Sequence, residues 1–199
     1  MIATYKKVRM DTLFPIDPGY PQGFSYVRDF IDQAEEELLL KAISEIELHT
    51  FLFQGYEAKR RVASFGYDYS FDKRSLSKGK DIPVAFHWLL EKVSSQTGIK
   101  TEKFAELLVT EYPVGAVINW HRDAPPFDII VGISLGADCI FRLKPHSKEK
   151  QTRGSIISVP VQRRSLYTLR DEARTAWQHS TLPVKAVRHS ITLRTLRAE

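Results

Sequence analysis

From residue 104 onward the chain falls into short β-branched runs: "FAELLVTEYP", "AVINWH", "DIIVGISLG", "DCIFRL", "SIISVPV", "SLYTL" and "VRHSITLRTL". Each is closed by Pro, Gly or a charged turn. Runs of this length at near-even spacing predict an antiparallel sandwich or jelly roll. Two helices are predicted ahead of them. In "DQAEEELLLKAISEIE", Asp32 and Glu35 suit an N-cap and its N3 partner, and Ala34, Leu38, Ala42 and Ile46 recur at a four-residue step. In "DIPVAFHWLLEKVSSQTG", Pro83 stands near the start, Phe86, Leu89, Leu90 and Val93 form an apolar stripe, and Gly98 supplies a stop. His87 and Glu91 read as a solvated pair on the opposite face. Helices first and strands afterwards make the fold class α+β. The Pro- and Gly-rich "FPIDPGYPQG" reads as part of an extended arm over residues 1–25.

A length of 199 residues fits one domain with a real hydrophobic core. The single cysteine, Cys139, excludes an internal disulfide framework and a cysteine-rich zinc site. Its apolar surroundings, "DCIFRL", predict a buried, inert thiol. The start has no apolar stretch of signal-peptide length and no segment reads as membrane-spanning, so a cytoplasmic setting is expected. Net charge is +5 and the pI is near 9.3, compatible with a polyanionic partner. The cations are concentrated: between Glu57 and Lys80 seven Lys or Arg stand against three Asp or Glu.

Within "NWHRDAPPFD", Asn119, His121 and Asp123 share strand parity, so their side chains would project to one face. His121 and Asp123 are then close enough to share a metal ion. A third ligand must come from His146, His179 or His189. His146 lies in the polar loop "KPHSKEK". His189 has the parity of Val187, Ile191 and Leu193 and reads as a packed or outer-face histidine. His179, in "AWQHSTLP", ends a strand before a turn and is the best third ligand. Two neutral imidazoles and one carboxylate match the facial triad of non-haem Fe(II) oxygenases; polar loop residues without a ligand role are the other reading.

In "RHSITLR", Arg188, Ser190, Thr192 and Arg194 share one face. Such a row is costly in a central strand unless it lines a cavity with anionic contents; the other reading is a solvated outer face. An arginine fork suits a carboxylate. Six residues span about 20 Å of strand, so the two arginines would serve separate roles along one pocket. "GISLG" matches a nucleophile elbow, but that motif needs a helix to follow, and here another strand does. Ser134 is therefore not read as a nucleophile, and the glycines are those of a hairpin.

The segments "EYPVGAVINWHRD", "FDIIVGISLGADCIFRL", "RRSLYTLRDEARTAWQHS" and "RHSITLR", in this order and spacing, resemble the AlkB-like 2-oxoglutarate/Fe(II)-dependent dioxygenases. The likeness runs from about Lys59 to Arg197 and is strongest from Tyr112 onward. It implies one AlkB-like domain over residues 1–199: the arm, a substrate-recognition lid at about 51–80, and a jelly-roll core at about 104–197. The implied fold is a double-stranded β-helix with N-terminal helices packed on one side. The resemblance assigns His121, Asp123 and His179 to iron. It assigns Tyr112 and Arg188 to the distal carboxylate of 2-oxoglutarate, and Arg194 to the second arginine, nearer the metal-chelating end. Ser190 stands where many members have asparagine, and Thr110 where one branch has asparagine; both alter cosubstrate contacts in detail. After Asp123, "APP" replaces a position that is acidic in that branch and helps read the damaged base, so substrate preference is expected to differ. Pro125 and Pro126 would stiffen the segment at the pocket mouth.

The implied reaction couples oxidative decarboxylation of 2-oxoglutarate to hydroxylation of a substrate carbon, consuming O2 and releasing succinate and CO2. On an N-methyl group the product collapses and releases formaldehyde. No catalytic side chain beyond the metal ligands is implied. The resemblance favours an alkylated base in DNA or RNA, single-stranded or flipped, handled by a monomer with no membrane partner. In the basic, aromatic segment "YEAKRRVASFGYDYSFDKRSLSKGK", Lys59, Arg60 and Arg61 could meet phosphates, and Tyr56, Tyr67 or Tyr69 could stack on a base. Two alternatives stand beside this: a dioxygenase with a protein substrate, and a non-catalytic nucleic-acid-binding jelly roll.

Overall fold

Asp32 opens the first helix, α1 (Gln33–Ser44), by the predicted capping box: its Oδ1 accepts from the Glu35 N–H at 2.8 Å and Glu35 Oε2 accepts from the Asp32 N–H at 2.9 Å. These elements belong to a computed structural model that describes residues 19–53, 56–70 and 73–198. The buried stripe of α1 differs from the expected one. Leu39 and Ile43 are buried, whereas Leu38 is 60% exposed. Glu36 fixes the rotation: it is buried, and its Oε1 accepts from the Gly136 N–H at 2.8 Å. The second helix, α2 (His87–Thr97), follows a single 3-10 turn after Pro83 and ends at Gly98, whose φ of 74° is left-handed. His87 turns its Nε2 to the Ile82 carbonyl, 3.2 Å away, rather than to Glu91. A short helix, α3 (Asp171–Thr175), was not anticipated.

The strands in chain order are β1 (Phe24–Val27), β2 (His49–Phe53), β3 (Tyr56–Ser70), β4 (Ser75–Lys78), β5 (Phe104–Tyr112) and β6 (Phe127–Leu135). They continue as β7 (Cys139–Pro145), β8 (Ile157–Val161), β9 (Leu166–Leu169), β10 (Trp177–Thr181) and β11 (Arg188–Leu196). All pairings are antiparallel. The larger sheet runs β1-β9-β6-β11-β5-β3-β2, with β4 on β3; the smaller runs β10-β7-β8. Strand alternation sorts the side chains into two cores. Leu107, Val109, Ile133, Ile191 and Leu193 face α1 and α2, meeting Leu39, Ile43, Leu89 and Val93. On the other face Tyr112, Ile130, Tyr167 and Leu169 meet Phe141, Leu143, Val159 and Val161 of the smaller sheet. The result is a jelly roll with helices on the outer side of one sheet, as expected.

Two segments bear on the expectations from sequence. The stretch at 51–80 is largely strand. Residues 61–66 of β3 pair directly with β5 and form a wall of the jelly roll, while residues 67–70 leave that sheet to pair with β4. The bend between them is Gly66, with φ of 82°; a Cβ there would lie 2.2 Å from the Ala105 carbonyl oxygen, so only glycine fits. "AVINWH" is not a regular strand. It runs alongside β10, but Ala116 pairs with Val184, Ile118 with Thr181 and His121 with His179, a register that slips by one residue near Ile118. Strand parity therefore does not hold along it, and Asn119 contributes its carbonyl rather than its side chain to the site. Of the expected arm, residues 1–18 lie outside the described residues.

Candidate metal and cosubstrate site

The slipped segment brings His121 against His179 of β10. Their backbones exchange two hydrogen bonds, His121 N–H to His179 O at 3.1 Å and His179 N–H to His121 O at 2.9 Å. The imidazole centroids are 4.2 Å apart, edge to face. Asp123 joins them, with Oδ2 at 3.5 Å from His179 Nε2. His121 Nδ1 lies 2.8 Å from the Asn119 carbonyl, which fixes Nδ1 as the protonated nitrogen and leaves the Nε2 lone pair free. His146 is exposed, and His189 turns to Glu111, 3.4 Å away at the edge of the helix-facing core, so neither joins the set.

The electrostatics put these groups in the protonation states that metal ligation needs. Burial pushes the His179 imidazolium down to about 3, with His121 adding to the effect. Burial likewise lowers His121. Burial alone would raise the Asp123 carboxyl, but Arg194, the two imidazoles and Arg174 outweigh it and hold it well below the usual carboxylate range. Among the described residues no three such groups stand in finished ligand geometry. A divalent ion nevertheless fits the donor chemistry. Asp123 Oδ2 is a buried anionic oxygen with no hydrogen-bond partner, a costly state that a cation between it and two neutral imidazoles would relieve.

Beside this cluster a cavity of about 970 Å³ is lined by Tyr112, Arg188 and Arg194 at the inner end and by Arg60 and Tyr69 of β3. Arg188 is 3% exposed. Its Nε donates to Ser134 Oγ at 3.0 Å and its guanidinium lies 4.9 Å from the centroid of the Tyr112 ring. Among the described residues no carboxylate pairs with it. A buried guanidinium with a hydroxyl and an aromatic ring as neighbours is poised for an incoming anion. Arg188, Thr192 and Arg194 of β11 line the cavity as their parity predicts, whereas Ser190, buried in the same strand, does not border it. Arg194, by contrast, is already engaged: its Nη2 and Nε donate to Asp123 Oδ1 at 2.9 and 3.2 Å.

The basic segment divides by strand face. Arg60 and Tyr69 border the cavity. Lys59 is exposed, and Arg61 makes a bidentate pair with Glu111 at 2.7 and 2.9 Å, on the side of β3 away from the cavity. Tyr67 pairs with Lys78 of β4 and does not border the cavity. The side chain of Tyr56 lies outside the described residues.

Sequence reasoning missed three side chains. Ser134, from the discarded "GISLG", holds Arg188; Gly132 of the same motif is required because a Cβ would lie 2.2 Å from Tyr167 Cζ. Arg174 of α3 is buried and its Nη2 donates to the carbonyls of Asp123, Ala124 and Phe127 at 3.3, 2.9 and 2.8 Å, so the loop through Pro125 and Pro126 is held from beneath as well as stiffened. Nothing local in "RDEARTAW" marks that arginine. Glu106 is the third; its parity with Thr110 and Tyr112, an acid on the inward face of β5, is a readable signal.

The sequence profile of the 2OG-Fe(II) oxygenase superfamily matches residues 23–197. The chain belongs to that superfamily. It is an AlkB-like 2-oxoglutarate/Fe(II)-dependent dioxygenase, with Fe(II) as its metal and 2-oxoglutarate and O2 as cosubstrates. Among its relatives is a Mus musculus protein named tRNA (carboxymethyluridine(34)-5-O)-methyltransferase ALKBH8, 29% identical over 83% of this chain and 25% of that one. An Arabidopsis thaliana protein named Alkylated DNA repair protein ALKBH8 homolog is 28% identical over 79% of this chain and 50% of its own length. A Danio rerio protein named Probable RNA/DNA demethylase ALKBH6 is 25% identical over 80% and 69%. The chain thus spans about a quarter of the length of the methyltransferase relatives. The structure of OsALKBH1 superposes with a TM-score of 0.67 at 14% identity, covering 87% of this dioxygenase and 96% of that chain, which shows the shared double-stranded β-helix. No helix among the described residues is long and apolar enough to cross a membrane.

Proposed function

We propose that this dioxygenase removes N-alkyl groups from nucleobases in DNA or RNA, acting as a monomer on a single-stranded or flipped base. His121, Asp123 and His179 would hold the ion, and Tyr112, Arg188 and Arg194 would line the 2-oxoglutarate slot. The observation that carries the cosubstrate assignment is Arg188, a buried cation with no carboxylate partner among the described residues, beside the Tyr112 ring. When bound, the metal with its cosubstrates supplies the oxidant that hydroxylates the carbon attached to nitrogen. The chain's own residues do the rest. Arg188 binds and orients the diacid, Arg194 and Arg174 fix Asp123 and its loop, and the buried inner wall excludes water.

Two features favour a nucleic acid. Arg60 and Tyr69 border the cavity, where they would meet an entering base and its phosphate. Outside it, Trp120, next in sequence to His121, has the Arg142 and Lys144 cations 4.8 and 4.7 Å from its ring centroid, and neither forms an ion pair among the described residues. The names of the relatives, tRNA methyltransferase, alkylated DNA repair protein and RNA/DNA demethylase, point the same way. The residues at about 51–80 would serve as the substrate-recognition lid, with β3 as its base.

The test is incubation with Fe(II), 2-oxoglutarate, ascorbate and a panel of N-alkylated oligonucleotides, read by mass spectrometry. Loss of an alkyl mass with matching succinate is expected. Succinate formed only with peptides, and every oligonucleotide returned intact, would transfer the substrate to protein. Charge reversal of Arg60 should lower oligonucleotide turnover and leave uncoupled succinate formation in place.

A further inference from the structure

Glu106 is 3% exposed, a carboxylate inside the jelly roll on the cavity face of β5. Buried acids persist only where other groups satisfy them. Here Ser64 Oγ of β3 donates to Oε1 at 2.9 Å, and Arg194 Nη1 of β11 donates to Oε2. Glu106 and Arg194 are direct cross-strand partners. The pairing of β11 with both neighbours shifts register immediately after Arg194, an irregularity that re-aims its side chain.

The planar fork of Arg194 is therefore gripped on both edges. Nη1 is held by Glu106, while Nη2 and Nε hold Asp123 Oδ1. A guanidinium held only by Asp123 could swing about its side-chain torsions and carry that carboxylate with it. Anchored at its far edge, it pins Oδ1 and leaves Oδ2 facing His179 Nε2 without a hydrogen bond. Charge acts in the same direction. Two carboxylates share one cation, so Asp123 keeps more anionic character than it would in an isolated pair with arginine.

We infer that Glu106 is a positioning residue for the metal centre, setting through Arg194 which oxygen of Asp123 is offered to the ion and how much charge it carries. Ser64 supports it, so one relay of side chains links β3, β5 and β11 to the ligand loop. The inference rests on the reading that Asp123, His121 and His179 hold a divalent ion, and its test separates the two.

The measurement is Mn(II) affinity of metal-free protein, by calorimetric titration, with circular dichroism and a melting curve to establish folding. Glu106→Gln keeps the shape and removes the charge; affinity should fall about tenfold to a hundredfold. Ser64→Ala loosens the carboxylate without removing it and should weaken binding in the same direction by a smaller factor. Glu106→Asp, which keeps the charge, should recover part of the loss. A structural role alone would lower the melting temperature without shifting the Mn(II) isotherm of the folded protein. If His121→Ala abolishes binding while the folded Glu106 and Ser64 variants bind as wild type does, the Glu106 inference is overturned and the ligand assignment stands. If His121→Ala leaves binding unchanged, both fall. Should Glu106→Gln fail to fold, unaltered affinity in both Glu106→Asp and Ser64→Ala overturns the positioning role.

Discussion

Arg188 is the side chain whose loss should separate cosubstrate binding from metal binding. Its fork has no acidic partner among the described residues, so Arg188→Ala removes a charge-assisted contact to an incoming carboxylate and leaves the imidazoles untouched. The KM for 2-oxoglutarate should rise about tenfold to a hundredfold, with Mn(II) affinity unchanged. A rise in the Mn(II) Kd of similar size would argue instead for a collapsed site. Cys139 carries a second expectation. It is buried, and burial pushes its thiol above the ordinary value, so the reactive thiolate is scarce. Alkylation followed by intact-mass measurement should find it unmodified in native buffer and modified in denaturant. At this scale the sequence exposed residues whose chemistry is unusual for their surroundings: His121 beside Asp123, and two arginines on a strand face. It concealed those that act only through a neighbour. Ser134 and Arg174 look like any hydroxyl and any cation until the fold places Arg188 and the Asp123 carbonyl against them.

The elements differ in how openly their residues announce them. The capping box of α1 is local, three residues apart, and needs no tertiary information. Asp32→Ala should lower stability by about 1 kcal/mol, measured by urea titration, because the Glu35 N–H loses its acceptor. No change would mean that packing of Leu39 and Ile43 alone fixes the helix start. The strands from β5 onward were legible because each alternates or runs apolar between turn residues. The wall built from β3 was not. Its inward residues Arg60 and Ser64 are polar because they border a cavity, and its outward Lys59 and Arg61 are polar because they meet solvent or Glu111. Polar on both faces at residues 59–61 and apolar on the outward face only at Ala63 and Phe65, the strand has no sustained period for the eye to find. The segment before His121 erred in the opposite sense: "AVINWH" has strand composition, but its bonds to residues 179–184 slip by one place, a property of two distant segments together.

For the molecule as a whole, the ordering of helices and strands sufficed for the α+β jelly roll, while the convergence of three strands and a loop on Asp123 required coordinates. A ligand that binds only the folded chain stabilises it by mass action, by about 2.7 kcal/mol at a hundredfold excess over Kd. Saturating Mn(II) with 2-oxoglutarate should therefore raise the melting temperature of the wild-type protein, and EDTA should reverse the gain. In Arg188→Ala the increment from 2-oxoglutarate should shrink while that from Mn(II) persists. The reciprocal backbone hydrogen bonds between His121 and His179 bear on how an ion is acquired. Both rings ride on one doubly fastened stretch of main chain, so their spacing is settled at folding and arrival of the ion orders few new degrees of freedom. Uptake should accordingly be fast and cost little entropy. The two amides should also be among the slowest in the cavity wall to exchange with deuterium, with or without the ion.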